Sequence, residues 1–139
     1  MECEQRLMGN YASILRDPDA TYRQIDLVGR TTEADGAALI QLLYEEAIHA
    51  LRAAAWAAEH HQTKTKSDKV TRATAILFAL EAGLDHEAGG EVAQTLSRLY
   101  AGARRTIVDA SIGNDPAPFR DVAATLDEIG QAWRTVRAA

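Results

Sequence analysis

The chain has 139 residues, of which 47% are hydrophobic, 25% charged and 6% aromatic, and its net charge is -5. That is the length of one domain, and the apolar fraction is too high for a disordered chain, so a packed core is expected. The acidic balance gives no overall attraction for phosphate backbones, which argues against a nucleic-acid partner.

Cys3 is the single cysteine and cannot close an internal disulfide, so nothing points to an oxidising compartment. Residues 1–10 lack the basic-then-apolar order of a signal peptide. No apolar run approaches the roughly 20 residues needed to span a bilayer. The expectation is a cytoplasmic protein without membrane insertion.

Residues 1–31 carry mixed signals. Tyr11, Ile14 and Leu15 share helical spacing, but Asp17-Pro18-Asp19 interrupts it. Tyr22, Ile25, Leu27 and Val28 then form a short apolar run before Gly29. This reads as a loosely organised arm, with the folded domain at residues 32–139.

A first long helix is expected from Thr32, an N-cap candidate with Asp35 three residues on. Leu39, Leu42, Leu43, Ala47, Ala50, Leu51, Ala54 and Ala58 recur at steps of three and four, giving one wide buried stripe that runs towards His60 and His61. The polar stretch from Gln62 to Ser67 reads as a connection, with Thr65 or Ser67 as the next cap. Val70, Ala73, Leu77, Leu80 and Leu84 form a second, narrower seam. Gly89-Gly90 is expected to end that helix or open the turn after it. Val92, Leu96, Leu99, Ala103, Ile107 and Ala110 make a third seam, with Gly113 as a C′ residue. Asp115 and Pro116 suit the start of a fourth helix, with Phe119, Val122, Leu126, Ile129, Trp133 and Val136 as its inner row. No strand-like alternation competes with this pattern. Four amphipathic helices on short loops predict an all-α, antiparallel four-helix bundle.

Catalytic patterns are scarce. Glu46-Ala47-Ile48-His49 has the Glu-x-x-His spacing of metal-binding bundles. It lacks a second copy, and His49 lies off the buried stripe, so a solvated face is the better reading. A metal-dependent bundle enzyme would need those two residues. His60-His61 and Asp85-His86-Glu87 lie near predicted helix ends, where the dipole alone favours histidine. There is no glycine-rich phosphate loop, no Gly-x-Ser-x-Gly and no Cys/His pair. The chain therefore reads as a non-enzyme without a cofactor. Lys64, Lys66, Lys69 and Arg72 form a small basic cluster, read as a solubilising loop before a contact for an acidic partner.

Apolar residues exceed what four seams require. Ile40, Tyr44 and Ile48 make a second row on the first helix; Ile76 and Phe78 flank Leu77 on the second; Tyr100 and Val108 extend the third. These either widen the core contacts or leave an apolar groove that accepts a partner's helix.

Several motifs resemble those of the flagellin-specific export chaperones, the FliS family. They are Leu39-Ile40-Gln41-Leu42-Leu43-Tyr44-Glu45-Glu46-Ala47-Ile48, then Leu84-Asp85-His86-Glu87-Ala88-Gly89-Gly90-Glu91-Val92-Ala93, then Leu96 with Leu99-Tyr100. Ala110-Ser111-Ile112-Gly113-Asn114-Asp115 and Ala132-Trp133 complete the set. The chain departs from the family at Glu46, where glycine is usual, and at His86, where an aromatic is usual. The resemblance implies a bundle that binds the disordered C-terminal segment of flagellin, prevents its polymerisation and aids delivery to a component of the flagellar export gate. It also implies that the N-terminal arm covers part of the groove. On that basis Ile40, Tyr44, Ile48, Ile76, Phe78, Tyr100 and Val108 are groove candidates, with Tyr22, Ile25 and Val28 on the arm. The free protein would be a monomer or homodimer. The alternative is a helical adaptor that pairs with itself through the same apolar rows.

Overall fold

The computed structural model describes residues 36–138. They form four helices, α1 (Gly36–Glu59), α2 (Thr63–Ala82), α3 (His86–Ala110) and α4 (Ala117–Ala138), and no strand occurs among the described residues. α1 packs on α2 and on α4, α2 packs on α3, and α3 rests more thinly on α4. The result is the expected antiparallel four-helix bundle. The expected cap at Thr32 and Asp35, the arm residues Tyr22, Ile25 and Val28, and the side chain of Val136 lie outside the described residues.

Alanine explains why α1 takes the central position. Leu39, Leu43, Ala47, Ala50, Leu51, Ala54, Ala55, Ala57 and Ala58 are all buried. Small side chains let the neighbouring helices approach closely, and alanine has the highest helix propensity. α2 contributes Val70, Ala73, Ile76, Leu77, Ala79 and Leu80, and α4 contributes Phe119, Val122, Ala123 and Leu126. α3 differs from both. Only Ala93, Tyr100 and Ile107 are buried on it, a single row spaced by seven. Val92, expected in the seam, is 64% exposed. It stands next to Ala93 and is therefore turned roughly 100° away from the buried row.

The turns are shorter than the polar runs imply. α1 ends in a Schellman arrangement: the Gln62 amide donates to the Ala57 carbonyl at 2.8 Å and the His61 amide to Ala58 at 3.3 Å. His61 has φ 53°, so the chain reverses within three residues. Thr63 to Ser67 consequently belongs to α2 instead of the loop, and neither Thr65 nor Ser67 is a cap. Gln62 holds the cap position without a side-chain bond. Its propensity costs are modest, because lysine is a good helix former.

The second turn comes earlier than the glycines. α2 ends at Ala82, and Asp85 caps α3 by accepting from the Glu87 and Ala88 amides, both at 3.1 Å. Gly89 and Gly90 therefore sit inside α3, where they produce a kink. Gly90 has φ 51° and ψ -124°. A Cβ on Gly89 would lie 2.8 Å from the Ala93 Cβ. Gly113 is not a left-handed C′ residue either, since positive φ among the described residues occurs only at His61 and Gly90. Its carbonyl instead accepts from the Lys66 ammonium at 2.7 Å, with the Asn114 side-chain oxygen at 3.4 Å. Asp115 then accepts from the Ala117 amide at 3.0 Å and starts α4.

Two backbone substitutions check these turns by chemical denaturation. Gly90→Ala should destabilise the fold by about 1–2 kcal/mol, because a Cβ is strained in the left-handed region. His61→Gly should instead stabilise it, by about 0.5–1 kcal/mol, by relieving the same strain at the end of α1.

Candidate functional site

α3 has a single fully buried row, with Leu96, Leu99, Ala103 and Ala110 only partly buried against the core, and clefts open on both of its flanks. One of about 780 Å³ runs between α2 and α3. Its α2 wall presents Lys66, Val70, Thr74 and Phe78, at steps of four along one helix face. Its other wall presents Arg104 and Val108 of α3 and Ser111, the residue that follows it. Phe78 is 50% exposed and Val108 47% exposed. Large apolar side chains left open on facing helices are costly in water and mark a surface for another molecule.

The Phe78 end of this cleft is held in place by charge. The Arg104 guanidinium lies 5.1 Å from the centre of the Phe78 ring. It also pairs with the Glu81 carboxylate, which accepts from the Ser97 hydroxyl at 3.2 Å. These contacts join α2 to α3 below the open groove. The other end carries Lys66, only 5% exposed, among the hydroxyl residues Thr63, Ser67, Thr71 and Ser111.

A smaller hollow of about 170 Å³ opens at the α2–α3 turn. Ile40, Leu84, Val92, Leu96, Tyr100 and Trp133 are among its lining residues. Beneath it the Tyr44 and Tyr100 hydroxyls are hydrogen-bonded across the bundle at 2.5 Å, with the rings edge to face at 6.3 Å. Burial raises the Tyr44 phenol above its ordinary value, and the bond to Tyr100 counters part of the rise. The Trp133 indole approaches the Tyr44 hydroxyl and also opposes the rise, although its buried Nε1 closes no bond of good geometry. A third cleft, about 320 Å³, lies between α3 and α4 beside Leu99, Ala103 and Val122.

The surplus apolar residues thus divide. Phe78 and Val108 meet in the large cleft, and Ile40 and Tyr100 line the small hollow. Tyr44, Ile48, Ile76 and Tyr100 are buried, at 1%, 8%, 0% and 2% exposure, so they are not open groove surface, and Tyr100 only floors the small hollow. α1 has a packed neighbour on either side, and its second row is absorbed by them. The sequence reading overlooked Arg104 and Thr74 as cleft residues and treated Lys66 as part of a loop. Only the four-residue step from Lys66 to Val70, Thr74 and Phe78 could have signalled their shared face.

Among the described residues no group of three His, Cys, Asp or Glu side chains converges as a metal site. His49 points outward, and Glu46 is half-buried. His60 stacks on Trp56 at 4.2 Å and donates to the Trp56 carbonyl at 2.7 Å, a role at the helix end. No described helix is long and apolar enough to cross a membrane.

Fold and clefts together define a four-helix bundle with unfilled apolar grooves beside one loosely seated helix. The pattern of the family described as flagellar protein FliS matches residues 18–139 of this sequence. The flagellar secretion chaperone FliSB of Pseudomonas aeruginosa is 33% identical over 112 residues, covering 81% of this chain and 89% of that protein. The flagellar secretion chaperone FliS of Salmonella typhimurium is 32% identical over 116 residues, covering 83% and 86%. That of Vibrio cholerae is 28% identical over 112 residues, covering 81% and 82%. The chain belongs to the FliS family.

The tyrosine pair can be tested by stability measurements. Tyr44→Phe and Tyr100→Phe should each cost about 0.5–1.5 kcal/mol, with a coupling of about 1 kcal/mol in the double variant. The raised Tyr44 value also sets a pH dependence. Stability from this group is fully present below pH 10.0 and is lost as pH climbs from there towards the folded-state value. Tyr44→Phe should lose less stability over that alkaline window, as read by denaturation midpoints.

Proposed function

We propose that this protein is a cytoplasmic secretion chaperone that holds the disordered C-terminal segment of flagellin, chiefly in the cleft between α2 and α3. The supporting observation is the pair Phe78 and Val108, half-exposed on facing helices above a groove that the bundle leaves unfilled. Membership of the FliS family and the names of its relatives support the same reading.

The physical logic is competitive burial. Flagellin's terminal segments assemble by burying apolar helical faces, and a chaperone blocks assembly by burying those faces first. Each well-buried guest side chain contributes about 1.5–3 kcal/mol, and ordering the guest returns several kcal/mol of the total. Affinity of about 1 μM corresponds to about 8 kcal/mol, so after the ordering cost it requires about five or more such anchors. The reading involves no catalysis, and release follows from competition at the export gate. On this view residues 1–31 form an arm whose Tyr22, Ile25 and Val28 cover part of the groove until the guest displaces them. Tyr44, Ile48, Ile76 and Tyr100 support the clefts from beneath, and the half-buried Ile40 offers a second contact at the small hollow.

Calorimetric titration with the C-terminal segment of the flagellin from the same organism is the direct test. Binding at or below micromolar concentration is expected, with a negative heat-capacity change. Phe78→Ala with Val108→Ala should weaken it tenfold or more while the circular dichroism stays unchanged, since both side chains are half-exposed. No heat at micromolar concentrations would overturn the assignment. A tight dimer whose interface excludes the peptide, seen by light scattering, would assign the cleft to self-association.

A further inference from the structure

Lys66 is the unusual residue of the large cleft. It is the one charged residue among the buried polar side chains described, at 5% exposure. Its ammonium is held by two neutral oxygens, the Gly113 carbonyl at 2.7 Å and the Asn114 side chain at 3.4 Å. No carboxylate among the described residues pairs with it, whereas the neighbouring Lys64 pairs with Asp68 and is almost fully exposed. A buried cation is ordinarily matched by an anion, because desolvation removes the screening that makes an isolated charge tolerable. Lysine also has three donor protons, and two acceptors leave one unassigned.

The surroundings show where an anion would come from. Lys66 lines the cleft, flanked there by Thr63, Ser67 and Ser111. Farther along the same α2 face, the Thr74 hydroxyl is buried without a hydrogen-bond partner. From Lys66 to Phe78 the groove floor rises about 18 Å, the length of roughly three helical turns. It is polar around Lys66 and Ser111 at one end; at the other, Phe78 faces Arg104, whose charge Glu81 already neutralises, and Val108 lies between the two ends.

We infer that the cleft carries a carboxylate subsite: an Asp or Glu side chain of the guest segment docks on the Lys66 ammonium while apolar residues of the same segment lie along Val108 and Phe78. This inference rests on the polypeptide-binding reading above and adds direction to it. A purely apolar groove accepts a helix in either sense and in several registers. One buried ion pair at the end of the groove fixes both, because a mispositioned guest leaves two desolvated charges unpaired. A side-chain carboxylate fits better than a chain terminus, since the groove continues past Lys66 to Thr63 and the guest need not end at the ammonium.

The test uses the full chain with the flagellin C-terminal segment and a zero-length carbodiimide cross-linker, which joins a carboxylate to an amine only in direct contact. Mass spectrometry should locate an amide between Lys66 and one acidic side chain of the guest. Changing that guest acid to its amide should weaken binding about tenfold and abolish the cross-link. Lys66→Met should weaken the native guest to a similar degree and leave the amide guest unaffected. If Lys66→Met fails to fold, the cross-link on the unmodified protein still decides. A guest that binds but links only to Lys64 or Lys69, or to no lysine, overturns the subsite and leaves the chaperone reading standing. A link from the guest's terminal carboxylate overturns the side-chain assignment. A guest that does not bind at all overturns the chaperone reading, and the subsite with it.

Discussion

The bundle is organised by the close packing of alanine on α1. Ala47, Ala50, Ala54, Ala55, Ala57 and Ala58 are all at or near zero exposure and spread over more than one side of the helix. Their small size allows α2 and α4 to lie tightly along α1, and those two contacts are the most extensive in the structure. α3 has no such contact with α1. It occupies the remaining position diagonally opposite, and the hydrogen-bonded Tyr44 and Tyr100 side chains span the gap between them. Large side chains where the helices are far apart, and small ones where they are close, are the condition for uniform packing density.

That arrangement determines where binding surface can occur. α1, packed along both α2 and α4, contributes only Ile40 to the three clefts described. α3, fixed by Ala93, Tyr100 and Ile107, leaves space against both α2 and α4. Polar contacts then hold it at the correct distance without filling that space. Glu81 clamps Arg104 and Ser97 near the middle of α3, and Lys66 secures the loop that follows it through Gly113 and Asn114. Asn114 and Asp115 thereby acquire separate duties, the first accepting from Lys66 and the second capping α4.

Much of this architecture was legible in the sequence. The seams follow helical spacing closely, and their predicted members with described side chains are buried or partly buried, Val92 on α3 excepted. The turns were harder to read. A histidine in the left-handed region gives no compositional signal, so the reversal at His61 was hidden behind the polar run that follows it. Gly89-Gly90 resembled a helix terminator, although Asp85 had already capped the next helix four residues earlier. The apolar surplus was visible as a quantity, but its placement was not. Tyr44 and Ile76 went inward and Phe78 outward because the outcome depends on which neighbours a helix acquires. Lys66 illustrates the same limit: its charge suggested a loop, and only tertiary packing gave that charge buried acceptors.

The unequal seating of the helices has a consequence for the motions of the molecule. Local opening is least costly where the fewest apolar contacts must separate. Amide protons along α3 should therefore exchange with solvent well before those of α1, most readily near the Gly90 kink, where the flanking residues are already exposed. The bundle then behaves as a firm three-helix slab carrying a fourth member that can shift. On the proposed chaperone reading, an incoming chain would meet a surface that adjusts its width at little energetic expense, and one scaffold would then accommodate guests whose side chains differ in bulk.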